Sequence, residues 1–277
     1  MRIQSLRDLP LAQLVETFNE SFTGYFVPIQ MSEELLAEKI RVEDIDLGGS
    51  MGVFDKNQLV GFTLVGLRDI NGELCGYNAG TGVIPEYRGQ RLPGQMYDLL
   101  KAALKPRGLA QLQLEVISKN TPAIRSYRRS GMQISRLLDC FQGKIEHLRN
   151  RPNDVVFEQI PMPDDAVLKA LREVEPSWQD THASAQKRGS KCLAILRKEE
   201  IVGYALYHRN RVSQLAVRKD QRRRGLATLL LYTIQEEAQA PLKLMNIDTR
   251  AESVSAFLNY SGLSSFIRQY EMIDRWA

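Results

Sequence analysis

The sequence predicts an α/β protein of two tandem domains, each a β-sheet flanked by helices, and three observations carry that expectation. A strand-like run, Leu215-Ala216-Val217, ends in a polar turn, and Arg222-Arg223-Arg224-Gly225-Leu226-Ala227-Thr228 then opens a Leu-rich helix. The chain also repeats itself. Leu59-Val60-Gly61-Phe62 matches Ile201-Val202-Gly203-Tyr204, residues 82–89 match 216–223, and Gly131-Met132-Gln133 matches Gly262-Leu263-Ser264, all in the same order. Finally, 277 residues are long for one domain and comfortable for two that each bury a core.

In the first half, strands are expected near 2–6, 51–55, 59–67, 74–83, 112–117 and 134–141, with helices near 10–21, 32–42, 93–104 and 122–129. Leu59 and Ile201 each follow a polar turn, as a strand returning from a hairpin does. Ser32 with Glu34 nearby marks a helix start, and Pro93 suits a first helical turn. The second half gives strands near 155–160, 192–197, 202–208, 212–217, 243–248 and 266–272. Its helices are expected near 164–174, 181–188, 226–238 and 253–259. The polar segment 143–154, containing Arg149-Asn150-Arg151-Pro152, reads as the junction, which sets the domains at 1–143 and 154–277.

Composition narrows the class. Hydrophobic content of 43% and charged content of 25% are those of a globular protein, and a net charge of +4 requires neither nucleic acid nor a membrane surface. Cys75, Cys140 and Cys192 are scattered, as expected of thiols in a reducing compartment, and the N-terminal residues lack the apolar run of a secretory signal. The expected location is therefore the cytoplasm. His147, His182 and His208 are dispersed and suggest no metal site, and no Gly-x-Ser-x-Gly motif occurs.

The order of strand, turn and helix at 215–231 makes an anion cradle. A helix begins with backbone N–H groups that have no partner within it, and its dipole adds partial positive charge there. Small residues at Gly225 and Ala227 let a diphosphate come close. A solvated turn or a nucleic-acid patch would need no such register of small residues between an apolar strand and an apolar helix.

At this point the chain resembles the GNAT superfamily of acyl-CoA-dependent N-acyltransferases, in tandem, over nearly its whole length. The resemblance implies two folds, each with a mixed, mostly antiparallel central sheet. It further implies that Arg222-Arg223-Arg224-Gly225-Leu226-Ala227, matching the family's Gln/Arg-x-x-Gly-x-Gly/Ala signature, cradles the coenzyme A pyrophosphate. By the same resemblance Leu215, Ala216 and Val217 pair with the pantetheine arm, and a splay between the fourth and fifth strands admits it. The family's Asn-x-x-Ala-x-x-x-Tyr-x-x-x-Gly motif is met in the other half, from Asn120 through Ala123 and Tyr127 to Gly131.

Each half departs from the pattern once. The first has Arg91 and Pro93 at the two small positions, and Pro93 has no N–H for a phosphate, although the Arg91 side chain could still reach one. The second has Leu258 where the family has its tyrosine, which protonates the leaving thiolate, and Tyr260 lies about 200° around the helix from Leu258. The resemblance implies acetyl transfer from acetyl-CoA to a primary amine on a small molecule or peptide, mainly in the second domain, with a strand N–H near Val217 stabilising the developing oxyanion. Asp248 and, less so, His208 are candidate bases there, and Tyr127 is the candidate acid. Alternatives are catalysis by the first domain, where Glu115 lies on the fifth strand, or a non-catalytic acyl-CoA sensor. Aromatic residues at Tyr25-Phe26 and Trp178 are expected either to border the acceptor cleft or to staple helices to the sheet.

Overall fold

A computed structural model describes residues 1–146 and 152–276 of the chain. The contacts divide it into two compact units: unit 1 is Met1–Ser135 with Tyr270–Ala277, and unit 2 is Arg136–Gln269.

In unit 1, β1 (Arg2–Ser5), β2 (Met51–Asp55), β3 (Gln58–Ile70) and β4 (Glu73–Val83) pair antiparallel in turn, and β4 pairs parallel with β5 (Leu109–Ile117). Helices α1 (Leu11–Ser21) and α2 (Glu33–Glu43) follow β1, α3 (Leu92–Leu104) follows β4, and α4 (Thr121–Arg129) follows β5. Local chemistry explains the helix starts. Ser32 accepts a hydrogen bond from Leu35 N at 3.3 Å, and Asn120 accepts one from Ala123 N at 3.2 Å, each satisfying a first-turn donor. The core gathers Leu100, Leu104, Leu112 and Met96 between α3 and the sheet, and all four are fully buried.

Unit 2 repeats the plan. Strands β7 (Val156–Ile160), β8 (Lys191–Arg197), β9 (Glu200–His208) and β10 (Arg211–Val217) pair antiparallel, and β10 pairs parallel with β11 (Leu242–Asp248). Short helices α5 (Asp165–Lys169) and α6 (His182–Arg188) follow β7, α7 (Leu226–Ala238) follows β10, and α8 (Glu252–Tyr260) follows β11. Leu230, Leu231 and Ile234 of α7 meet Val202, Leu242 and Leu244 of the sheet in a second core.

Two strands complicate the boundary. After α4 comes β6 (Gln133–Gly143), whose residues 136–143 lie beside β11 in unit 2. After α8 comes β12 (Leu263–Arg275), whose residues from 270 onward lie next to β5 in unit 1. Each repeat therefore ends in a strand that serves the other unit, unlike the contiguous domains expected at 1–143 and 154–277. The reason is packing: Met272 is fully buried in the first core, and Asp274 accepts from Tyr97 at 3.0 Å and Lys101 at 2.8 Å on α3. Within the expected junction, 147–151 fall outside the described residues.

The other departure is α5, expected to reach 174 but ending at Lys169. Arg136, far away in sequence, donates to Glu175 O at 2.6 Å and Pro176 O at 3.4 Å, which fixes the non-helical segment that follows. No helix among the described residues is long and apolar enough to cross a membrane. All three cysteines are free and buried.

Candidate functional site

In both units the parallel strands part company. β4 pairs with β5 only as far as Tyr77–Gln113, and β10 pairs with β11 only at Arg211–Lys243 and Val212–Leu244. Beyond those points the ends of β4 and β10 bond on one side only, to β3 and β9, so each sheet carries a cleft open at its C-terminal edge. A bulge accompanies the parting in each case, at Ala79 and at Ser213.

The cleft of unit 2 widens into a cavity of about 640 Å³. Leu215, Ala216 and Val217 of β10 line one side, Met245, Asn246 and Asp248 of β11 another, and the start of α7 the mouth. That start has the shape the motif implies. Arg223 (φ 61°) and Gly225 (φ 77°) take left-handed backbone, and the first intrahelical bond runs from Leu229 N to Gly225 O at 3.0 Å. Leu226, Ala227 and Thr228 line the cavity, and their N–H groups precede that bond at the head of the helix. Gly225 accepts this conformation without the crowding a Cβ brings.

The three arginines of the loop behave differently. Arg222 donates from Nε to Val217 O at 2.9 Å and pairs with Glu173, so it staples the loop to the strand end. Arg224 turns away from the cavity to Gln221 and Asp154. Arg223 lines the cavity, is exposed, and has no ion-pair partner among the described residues.

Asp248 lines the cavity and is buried, with Arg136 at 3.1 Å and Arg250 at 2.6 Å. Burial pushes its carboxyl up, but the hydrogen bonds from Arg250 and Arg136 outweigh this and hold it below the ordinary carboxylate value. That makes it a poor proton acceptor and a firm anchor. His208 ends β9 and does not line the cavity. At the tyrosine position, Leu258 is fully buried in the second core, while Tyr260 stands at the cavity rim with 68% of its surface exposed.

A buried polar chain that the sequence reading missed forms the cavity floor. Tyr204 donates to Gln214 at 2.9 Å, Gln214 to Asp180 O at 2.7 Å, Ser177 to Asp180 at 3.2 Å, and Asn246 to Ser177 at 3.2 Å. Asn246 adopts φ 56° while buried, a strained backbone of the kind found at functional sites. Its signal in the sequence was slight: two amides, Gln214 and Asn246, inside otherwise apolar strands. Pro176 and Ser177 reach the cavity, whereas Trp178 is buried and packs.

Unit 1 keeps the frame with other contents. Arg91 takes φ 58° at the start of α3 where unit 2 has Gly225, and Pro93 removes one N–H from that helix start. Burial pushes the Tyr127 phenol up, while Thr81 and Asn78, close enough to bond it, pull the other way. Glu115 accepts from Tyr77 at the apex of the cleft. Tyr25 sits 3.5 Å from Asn120 and packs edge-on against Phe26, which is 53% exposed.

Residues 11–132 match the Acetyltransferase (GNAT) family, and residues 164–260 match the Acetyltransferase (GNAT) domain. The chain is a tandem GNAT-superfamily protein. Solved structures share this fold. A tandem GNAT protein from the clavulanic acid biosynthesis pathway superposes with a TM-score of 0.75 at 13% identity, over 99% of this chain and 98% of that one. A GCN5-related N-acetyltransferase from Sphaerobacter thermophilus gives 0.74 at 15% identity, over 99% and 95%. A glucosamine N-acetyltransferase region of a fungal β-N-acetylglucosaminidase gives 0.72 at 11% identity, over 98% of this chain and 38% of that one. No curated protein sequence matches significantly. Membership in the superfamily makes this GNAT protein an acyltransferase of the acyl-CoA-dependent type. Among its described residues no group of three or more His, Cys, Asp or Glu side chains could hold a metal ion.

Proposed function

We propose that the protein is an N-acetyltransferase that moves an acetyl group from acetyl-CoA to a primary amine, with coenzyme A held by unit 2. The observation that carries this reading is a single cavity bounded both by the start of helix α7 and by the parted ends of two parallel strands. In this reading Leu226, Ala227 and Thr228 N–H groups bond the diphosphate, with Arg223 adding charge at the mouth. The one-sided edge of β10 at Leu215, Ala216 and Val217 offers backbone donors and acceptors to the pantetheine arm. Bound there, acetyl-CoA supplies an acyl carbon activated as a thioester. The apolar wall of Leu171, Val174, Met245 and Phe257 excludes bulk water from the reacting end. Asp248 anchors the end of β11 against Arg136 and Arg250. With Leu258 buried at the tyrosine position, a thiol of pKa about 8.5 departs without an acid there. A cytoplasmic location belongs to the same reading and is supported by three unbridged thiols.

Calorimetric titration of acetyl-CoA tests the reading. Gly225→Trp, which puts a bulky side chain on left-handed backbone at the mouth, is expected to abolish binding while circular dichroism stays unchanged. Full affinity in that variant would remove the phosphate loop from the proposal. A second reading, with unit 1 catalytic, is favoured by one observation, the Tyr127 hydroxyl set among Thr81 and Asn78. Thiol release that survives Gly225→Trp and disappears in Tyr127→Phe would establish it instead.

A further inference from the structure

The substrate class follows from the cavity wall of unit 2, on the reading that this cavity is where acyl transfer occurs. Among its described residues the wall contains four carboxylates, Glu173, Glu175, Asp180 and Asp248, and no histidine, lysine or cysteine. Both oxygens of every carboxylate are engaged. Glu173 takes Arg222 on one oxygen and Ser253 Oγ at 3.2 Å on the other. Glu175 takes Arg172 at 2.7 Å and Lys169 at 3.4 Å. Asp180 takes Arg211 at 2.6 Å and Ser177 Oγ at 3.2 Å. Asp248 takes Arg136 at 3.1 Å on one oxygen, the Arg250 N–H at 2.9 Å on the other, and the Arg250 guanidinium across both.

The remaining titratable groups on the wall are arginines and phenols. Arg172, Arg222 and Arg223 carry no basic lone pair, Tyr204 is buried and donates to Gln214, and Tyr260 is at the rim. A general base must present a lone pair to the proton it removes, and a guanidinium beside a carboxylate favours the ionised form. Here every carboxylate oxygen on the wall already accepts from at least one donor. The same pairing deprives an incoming ammonium of a bare negative partner.

We infer that unit 2 acetylates weakly basic amines that arrive already neutral, an α-amine or an arylamine, and discriminates against strongly basic alkylamines of the lysine type. The reaction then needs no protein base. The amine lone pair forms the N–C bond to the acyl carbon, the C–S bond breaks with its electron pair on sulfur, and the surplus proton on nitrogen passes to that thiolate. Amide and thiol are the products. An α-amine titrates near 7.7–8.0 and a lysine amine near 10.4, so their neutral fractions at pH 7.5 differ on the order of 100-fold.

The test measures thiol release by the full chain with glycinamide, propylamine and aniline from pH 6.5 to 9.5, beside calorimetry of acetyl-CoA. The first two amines match in size and differ in basicity. At pH 7.5 kcat/KM for glycinamide is expected to exceed that for propylamine on the order of 100-fold, and the propylamine profile is expected to rise tenfold per pH unit without a bend. Turnover of aniline alone assigns the arylamine arm, and of glycinamide alone the α-amine arm. Equal kcat/KM for glycinamide and propylamine at pH 7.5, or a bend below pH 7 shared by all three amines, overturns the inference and leaves the cofactor reading standing. A chain that binds no acetyl-CoA, or that binds it and releases no thiol to any of the three, overturns both.

Discussion

In unit 1 the helix after the fourth strand starts at Arg91-Leu92-Pro93, and in unit 2 at Gly225-Leu226-Ala227, yet both caps lie in the left-handed region, at φ 58° and φ 77°. A left-handed arginine costs roughly 1–2 kcal/mol, so something other than glycine holds the shape in unit 1. The two loops share a staple. Arg88 Nε donates to Val83 O at 3.1 Å, as Arg222 Nε donates to Val217 O at 2.9 Å, and each ties the turn to the end of its strand. The comparison shows that loop shape and loop chemistry separate: the staple preserves the shape, while Gly225 and Ala227 keep the helix-start N–H groups, one of which Pro93 lacks.

The clefts differ in the same way. On matched strand pairs, Thr63 opposite Thr81 becomes Ala205 opposite Leu215, and Asn78 becomes Val212. Thr63 and Thr81 lie 3.2 Å apart, with Asn78 bonded to Thr81 at 2.9 Å. Tyr127, which faces this trio, has Leu258 as its counterpart. Unit 1 thus keeps its hydroxyls around the tyrosine, whereas unit 2 carries its polar chain on Tyr204, Gln214 and Asp180.

The comparison is broken most severely by removing residues 270–277. Unit 1 depends on them through buried Met272 and the Asp274–Lys101 pair and is expected to lose about 5 kcal/mol or more, a larger loss than that of unit 2. Hydrogen exchange checks this: β5 should lose protection and β9 should retain it. Next comes Asp248→Asn, which removes the carboxylate charge that Arg136 and Arg250 share and is expected to cost about 2 kcal/mol at pH 7. Because the folded carboxyl titrates below its unfolded value of about 3.9, the wild-type advantage is complete above that value and fades as pH falls through the folded one. Urea unfolding of unit 2 at pH 7 and pH 2.5 measures it. Unit 1 has Ile117 at the corresponding strand end and should show no such term. The smallest change sharpens the contrast: Arg91→Gly with Pro93→Ala, in a Gly225→Trp background, restores one N–H and is expected to tighten acetyl-CoA binding by unit 1 about tenfold. Unchanged calorimetry would assign the difference to the cleft and not to the loop.

Features written over a few adjacent residues were legible in the sequence. The start of α7, the Ser32 helix start, the hairpins and the loss of tyrosine at Leu258 all depend on local spacing. What escaped depends on distant partners. The segment after α5 is held by Arg136 from far along the chain, and the return of β12 to unit 1 is decided by a gap beside β5 that no property of 263–275 announces. Asp248 looked like a base because a strand-end carboxylate is visible in one dimension. Its two arginines, at positions 136 and 250, converge only in three.

The late arrival of Tyr270–Ala277 in unit 1 has a consequence for synthesis. A ribosome making 5–20 residues per second finishes Ser135 on the order of ten seconds before it reaches the residues that cover β5. Throughout that interval the first-made unit waits with an open sheet edge, and the second-made unit holds all of its own parts first. Maturation therefore runs against the direction of translation.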